Sequence, residues 1–219
     1  MKVVLLSAVL GLAWALQAQA EVPVQPGLDV KQFSGFWYLV ALGSDSQEFL
    51  STKDKLKMSV AVIKSLDGGN LNIKISFLGP DGCQKMDATL IKESQEGHYS
   101  NLALAQKDVR VVATDYVNFG IIYVLSDVKG TISTTIQLYS RTQDVSPEGL
   151  KKFKDFYPTV GLRDDMMAML PKSECIAEQA LKDVSVKVSL ALLEAHLILA
   201  IKGIQEGDTS SLVQRVPRE

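Results

Sequence analysis

The sequence predicts an all-β protein: an eight-stranded antiparallel up-and-down barrel with one C-terminal α-helix packed outside. Three observations lead there. From Gly35 onward apolar and polar residues alternate with period two in short segments. Turn-forming stretches such as Asp67-Gly68-Gly69-Asn70 and Gly79-Pro80-Asp81-Gly82 separate them. Past Arg141 the period changes to that of a helix.

The strands are expected near residues 35–43, 57–65, 71–78, 83–92, 97–102, 108–115, 119–126 and 131–140. Short connections make strands adjacent in sequence adjacent in space. The pleat then sorts the side chains. Ile73, Ile75 and Phe77 oppose Asn72, Lys74 and Ser76, and Met86, Ala88 and Leu90 oppose Lys85, Asp87 and Thr89. A meander of eight strands with one apolar face closes into a barrel, which removes its exposed edges.

Ser146 suits a helix N-cap and Pro147 the first turn, and Pro158 ends the helix about three turns on. Leu150, Phe153 and Tyr157 form its apolar stripe, for which Ile132, Ile136 and Leu138 on the outside of the last strand offer a surface. A short ninth strand is expected around residues 166–170. Met166, Met167 and Met169 read there as packing residues, and Lys151, Lys152 and Lys154 as the solvated face of the helix.

Residues 1–20 join Met1-Lys2 to an apolar run from Val3 to Leu16 and a small-x-small end, Ala18-Gln19-Ala20, the form of a cleaved secretion signal. The run is shorter than the roughly 20 apolar residues of a membrane anchor. Residues 21–178 are then a single barrel domain, a length suited to one core, secreted to the extracellular space as a monomer. In that compartment Cys83 and Cys175, the two cysteines of the chain, are expected to pair. Closing so long a loop stabilises by about 4 to 5 kcal/mol in the chain-entropy description. Neither cysteine then remains for catalysis or metal. A net charge of −2 implies no nucleic-acid partner, and the chain holds no Asn-x-Ser/Thr acceptor for glycosylation. His98, in Glu96-Gly97-His98-Tyr99, reads as a solvated turn residue.

Gly35-x-Trp37 on the first strand, Thr114-Asp115-Tyr116 at the sixth turn, Arg141 ending the eighth strand, a helix and then a cysteine occur in that order. Together they resemble the lipocalin family over residues 28–176. Leu138-Tyr139-Ser140-Arg141-Thr142-Gln143-Asp144-Val145-Ser146-Pro147 and Phe156-Tyr157-Pro158 set the chain beside the prostaglandin D synthase branch of that family. The resemblance implies that Trp37 closes the barrel base with Arg141 across its indole, a contact worth about 1 to 2 kcal/mol when desolvated. It also implies a carrier of a small hydrophobic molecule such as a fatty acid, retinoid or steroid, with no cofactor and no metal.

Following the alternation and the family register, the inward set is Ser59, Ala61, Ile63, Ile73, Ile75, Phe77, Met86, Ala88, Leu90, Val109, Val111, Ile122, Val124, Thr135, Gln137 and Tyr139. Aliphatic walls with a few polar groups are the usual composition of a small-molecule pocket. Gln137 and Tyr139 either hold a ligand's polar end or hydrogen-bond each other or water. An enzyme is not expected. The branch's isomerases use an inward cysteine thiolate on the second strand, and the matching residue here is Ser59, a far poorer nucleophile without a base.

Residues 179–219 form an extension with an apolar stretch from Val184 to Ile201, interrupted by Lys187, Glu194 and His196. Those charges speak against a stable membrane span. The readings are a segment without settled structure, a helix over about 178–204 against the barrel, or a contact with a protein partner or a membrane surface.

Overall fold

The alternating segments fold as hairpins wherever turn residues separate them. The computed structural model describes residues 21–173 and Cys175. The strands are β1 (Gly35–Ser44), β2 (Ser59–Ser65), β3 (Leu71–Gly79), β4 (Gly82–Lys92), β5 (His98–Asn101), β6 (Gln106–Thr114), β7 (Phe119–Val128), β8 (Thr131–Ser140) and β9 (Met167–Met169). Each of β2 to β8 pairs with its sequence neighbour, and β1 pairs with both β2 and β8, which closes an eight-stranded antiparallel barrel. β9 adds outside the closure, against Ala41–Gly43 of β1.

The expected strands are all present, with shifted ends. β2 starts at Ser59 rather than 57, β6 at Gln106 rather than 108, and β7 runs on to Val128. The ninth strand is three residues, Met167–Met169. Two short helices were not foreseen: α1 (Val30–Phe33), capped by the Asp29 carboxylate, and α2 (Gln47–Thr52), capped by Ser46. Each is too short to leave a periodic signature.

α3 (Pro147–Phe156) begins where Ser146 and Pro147 place it, the Ser146 hydroxyl accepting from the Gly149 amide at 3.2 Å. Pro158 falls in a 3-10 turn, Tyr157–Val160, that follows the helix. The buried stripe differs from the expected one. Phe153 and Phe156 are buried, whereas Leu150 and Tyr157 are only partly covered. The cause is a close approach at Gly149, where an added Cβ would lie 2.6 Å from Phe119 Cβ and so rotates the helix onto its Phe153–Phe156 side. Ile136 and Leu138 lie beneath it, but Ile132 is 66% exposed, because it sits near the β7–β8 turn at the far end of β8.

The apolar residues thus divide into two cores. One lies outside the barrel, with Ile121, Ile136, Leu138, Phe153 and Phe156. The other fills the barrel around Trp37, Phe33, Ile63, Leu71, Tyr99 and Val111. Cys83, at the start of β4, is bonded to Cys175, with Cα atoms 5.5 Å apart. The proposed leader and the rest of the extension, including the expected helix over 178–204, lie outside the described residues.

Candidate functional site

The barrel has a closed and an open end, and the closed end is built from the Gly35-x-Trp37 turn. Gly35 has φ +106°, a conformation side chains rarely adopt, and a Cβ there would lie 3.2 Å from Arg141 Nη1. The chain therefore enters β1 with Trp37 inward and fully buried. Trp37 Nε1 donates to the Phe33 carbonyl at 2.8 Å, and the Phe33 ring packs 5.4 Å from the indole.

Arg141 caps this plug. Its guanidinium carbon lies 3.6 Å from the Trp37 ring centroid. Nε donates to the Tyr116 carbonyl (3.0 Å), Nη1 to Phe36 (2.9 Å), and Nη2 to Gln32 (2.8 Å) and Ser34 (3.0 Å). One side chain thus ties α1, β1 and the β6–β7 turn. That turn is held by Asp115, whose carboxylate accepts from the amides of Val117, Asn118 and Phe119 and from the Asn118 side chain. Burial raises the Asp115 pKa, and these donors more than offset it, so the group sits below its ordinary 3.8.

Toward the open end the interior holds a cavity of about 90 Å³. Its walls are Ile73, Ile75, Met86, Ala88, Leu90, Leu104, Gln106, Val109, Ile122, Val124, Gln137 and Tyr139. Ten of these belong to the set expected from alternation; Leu104 and Gln106 do not. The register between β5 and β6 shifts between Tyr99 and Asn101, and that between β6 and β7 between Gln106 and Asp108. A bulge adds one residue and flips the facing of what lies beyond it, so Gln106 joins Val109 on the inner wall. Leu104 reaches the cavity from a 3-10 turn ended by Ala105 at φ +55°. Neither event has a marker in the local pattern.

Six expected residues do not line the cavity. Ala61, Ile63 and Val111 belong to the packed core around Trp37. Ser59 is buried beside β1, opposite Leu39. The Thr135 hydroxyl donates to Ser44 Oγ at 2.9 Å, an engagement with β1 at the rim. Phe77 stands near the β3–β4 tip, 36% exposed, because that hairpin projects past the closed part of the barrel.

The polar wall is internally satisfied: the Tyr139 hydroxyl donates to Gln137 Oε1 at 3.0 Å. Burial pushes the Tyr139 phenol well above its ordinary value, which keeps it a neutral donor. His98 is not a free turn residue. It opens β5, and its Nε2 lies 2.9 Å from Asp108 Oδ1, a carboxylate that Arg110 also binds. A larger groove, about 530 Å³, runs outside the barrel between α3, β6 and β7 and residues 21–23, with Glu21, Lys152, Asp155 and Thr159 as its polar lining residues.

Residues 34–174 match the model of the family described as "Lipocalin / cytosolic fatty-acid binding protein family". Human Lipocalin-15 is 50% identical over 170 residues, which cover 78% of this chain and 92% of that protein. The Extracellular fatty acid-binding protein of Coturnix japonica is 35% identical, covering 80% and 96% respectively. The Prostaglandin-H2 D-isomerase of Felis catus is 34% identical, covering 78% and 92%. A solved structure described as "The Siderocalin Ex-FABP functions through dual ligand specificities" superposes with a TM-score of 0.60 at 32% identity, over 65% of this chain and 91% of that one. With the barrel, its plugged base and its outer helix already in view, the conclusion is that this chain belongs to the lipocalin / cytosolic fatty-acid binding protein family.

Proposed function

We propose that the protein is an extracellular carrier that holds one small hydrophobic molecule in the barrel and does not transform it. One observation carries the reading: the barrel interior holds a cavity with mostly apolar walls, and some of those walls reach the surface. Met86 and Leu104 line the cavity and are also 37% and 40% exposed, so a ligand meets apolar surface from entry to seat. Exposed Phe77 extends that surface at the rim.

The resting cavity, about 90 Å³, is well below the roughly 300 to 1,000 Å³ of pockets that enclose drug-sized ligands. A fatty acid or retinoid would therefore occupy the mouth as well as the interior, displacing flexible Met86. Gln137 and Tyr139 would offer their hydrogen-bonding groups to a carboxylate or hydroxyl. Burying about 300 Å² of ligand surface is worth about 7 kcal/mol gross, and association costs reduce that to micromolar or weaker affinity.

The absence of turnover is supported by the cysteines, which are bonded to each other, and by Ser59, which lies off the cavity wall. The extracellular reading is supported by the expected leader and by the similarity to the Extracellular fatty acid-binding protein of Coturnix japonica.

Fluorescence titration with fatty acid, retinoid and steroid probes tests the carrier. Trp37 is the one tryptophan past residue 20 and reports directly from the barrel base. Saturable quenching is expected for at least one class, and none for any class would end the reading. Conversion of prostaglandin H2 faster by the intact protein than by a Ser59→Ala variant would replace it with an isomerase.

A further inference from the structure

The outer face of β2 to β4 carries a line of cations. α3 covers the outside of β7 and β8, whereas Lys64, Lys74, Lys85 and Asp87 are exposed on these three strands. They point away from the barrel interior, because the residues that alternate with them, such as Ile63, Ile73 and Met86, face inward.

The register sets the pattern. Lys74 lies opposite Val62 on β2 and opposite Asp87 on β4, while Lys64 lies opposite Asn72 and Lys85 opposite Ser76. Each lysine is therefore the diagonal neighbour of the next, one strand over and two residues along, about 7 to 8 Å away. The three form one diagonal of about 15 Å across the sheet. Lys74 pairs with Asp87 at 3.4 Å, and among the described residues Lys64 and Lys85 pair with no carboxylate. The chain as a whole carries −2, so the attraction of this line for an anion is local, reaching about 8 Å at physiological salt. A cleft of about 470 Å³ lies along it, lined also by Val60, Val62 and Ser76.

We propose that this face binds a sulfated polysaccharide laid along the Lys64–Lys74–Lys85 diagonal. A compact anion has the wrong shape, since Lys64 and Lys85, about 15 Å apart, do not converge on one group. A linear polyanion meets the three cations in turn and releases its counterions. Val60 and Val62 offer apolar surface to the C–H face of a sugar ring, and Ser76 a hydroxyl to its polar edge. Single-stranded nucleic acid also needs aromatic side chains on which bases stack, and none lines this cleft. The exposed pair of Lys74 with Asp87 is weak enough to yield to the polymer, which leaves Asp87 as the repulsive group of the site.

The site is independent of the carrier reading, and only the choice of an extracellular polymer rests on the extracellular one. Its test uses the purified full chain, so the outcome does not depend on where the protein is found. Calorimetric titration with a heparin octasaccharide is expected to show saturable binding that weakens about 20- to 40-fold between about 50 and about 200 mM salt, as three contacts require. Lys64→Ala and Lys85→Ala should each weaken it about tenfold at the lower salt and reduce the salt slope. Asp87→Asn should tighten it about threefold, a gain that a misfolded variant does not give. No saturable binding at the lower salt, wild-type affinity in both lysine variants, or weaker binding by Asp87→Asn overturns the proposal. A loss in Lys151→Ala, on α3, as large as in Lys85→Ala overturns the location. Equal or tighter binding of a single-stranded oligonucleotide of the same charge overturns the polysaccharide in favour of nucleic acid.

Discussion

Replacing Arg141 with alanine removes the side chain that joins the indole plug to three separate segments. Three of its four hydrogen bonds, to the carbonyls of Phe36, Ser34 and Tyr116, are partly buried. A hydrogen bond to a charged group contributes about 1.5 to 3 kcal/mol, and the contact over Trp37 adds about 1 to 2 kcal/mol. Water entering the vacated site re-solvates the freed carbonyls, so about 3 to 4 kcal/mol is the expected loss, at the upper end of single substitutions. Arg141→Lys keeps the charge but cannot reach four acceptors, and about half that loss is expected. Urea unfolding followed by Trp37 emission measures both, with an unchanged slope confirming that the denatured state is the same. A loss under about 1 kcal/mol for Arg141→Ala, or wild-type stability for Arg141→Lys, would refute the view that this residue fastens the closed end.

Three further outcomes are expected. Gly35→Ala combines a φ of +106° with a 3.2 Å approach to Arg141 Nη1, and should lower stability by about 1 to 3 kcal/mol in the same urea assay. Tyr139→Phe leaves Gln137 Oε1 without its donor and should cost about 1 kcal/mol, while weakening binding of a carboxylate-bearing probe relative to its neutral analogue in fluorescence titration. Asp115 has a folded pKa below its ordinary 3.8, so its stabilising effect is complete above that value and is lost as pH falls through the folded pKa. Thermal unfolding across the acid range should therefore show a shallower decline for Asp115→Asn than for the parent protein, on a lower plateau near neutrality.

Much of this architecture is local. The two-residue period survives in strands such as β3, which turns one face to the barrel interior and the other toward solvent, and hairpin residues mark the ends of strands such as β3 and β4. The start of α3 follows from Ser146 and Pro147 alone. Gly35, Trp37 and Arg141 are legible for a different reason: taken singly they mark nothing, and their roles at the barrel base follow from the resemblance of their order and spacing to the lipocalin family, which the indole–guanidinium contact then bears out.

What the alternation misses is where the period breaks. Gln106 joins the cavity wall through a bulge, and β1 skips a residue between Leu39 and Ala41 so that it can serve β2 and β8 at once. Ser59 and Thr135 have the right parity but lie outside the cavity, since depth along the barrel is not a property of parity. His98 finds Asp108 across strands ten residues apart in sequence only because β5 and β6 pair.

By itself, then, the sequence determined the strands, their order, the helix start and the cysteine pair, which rest on local pattern and on there being two cysteines to pair, and through its family resemblance it pointed to the plugged base. The tertiary structure alone decided the register shifts, the depth of each side chain and the small volume left inside. These depend on how eight twisted strands share one closure, a balance among distant segments that no short stretch of chain encodes.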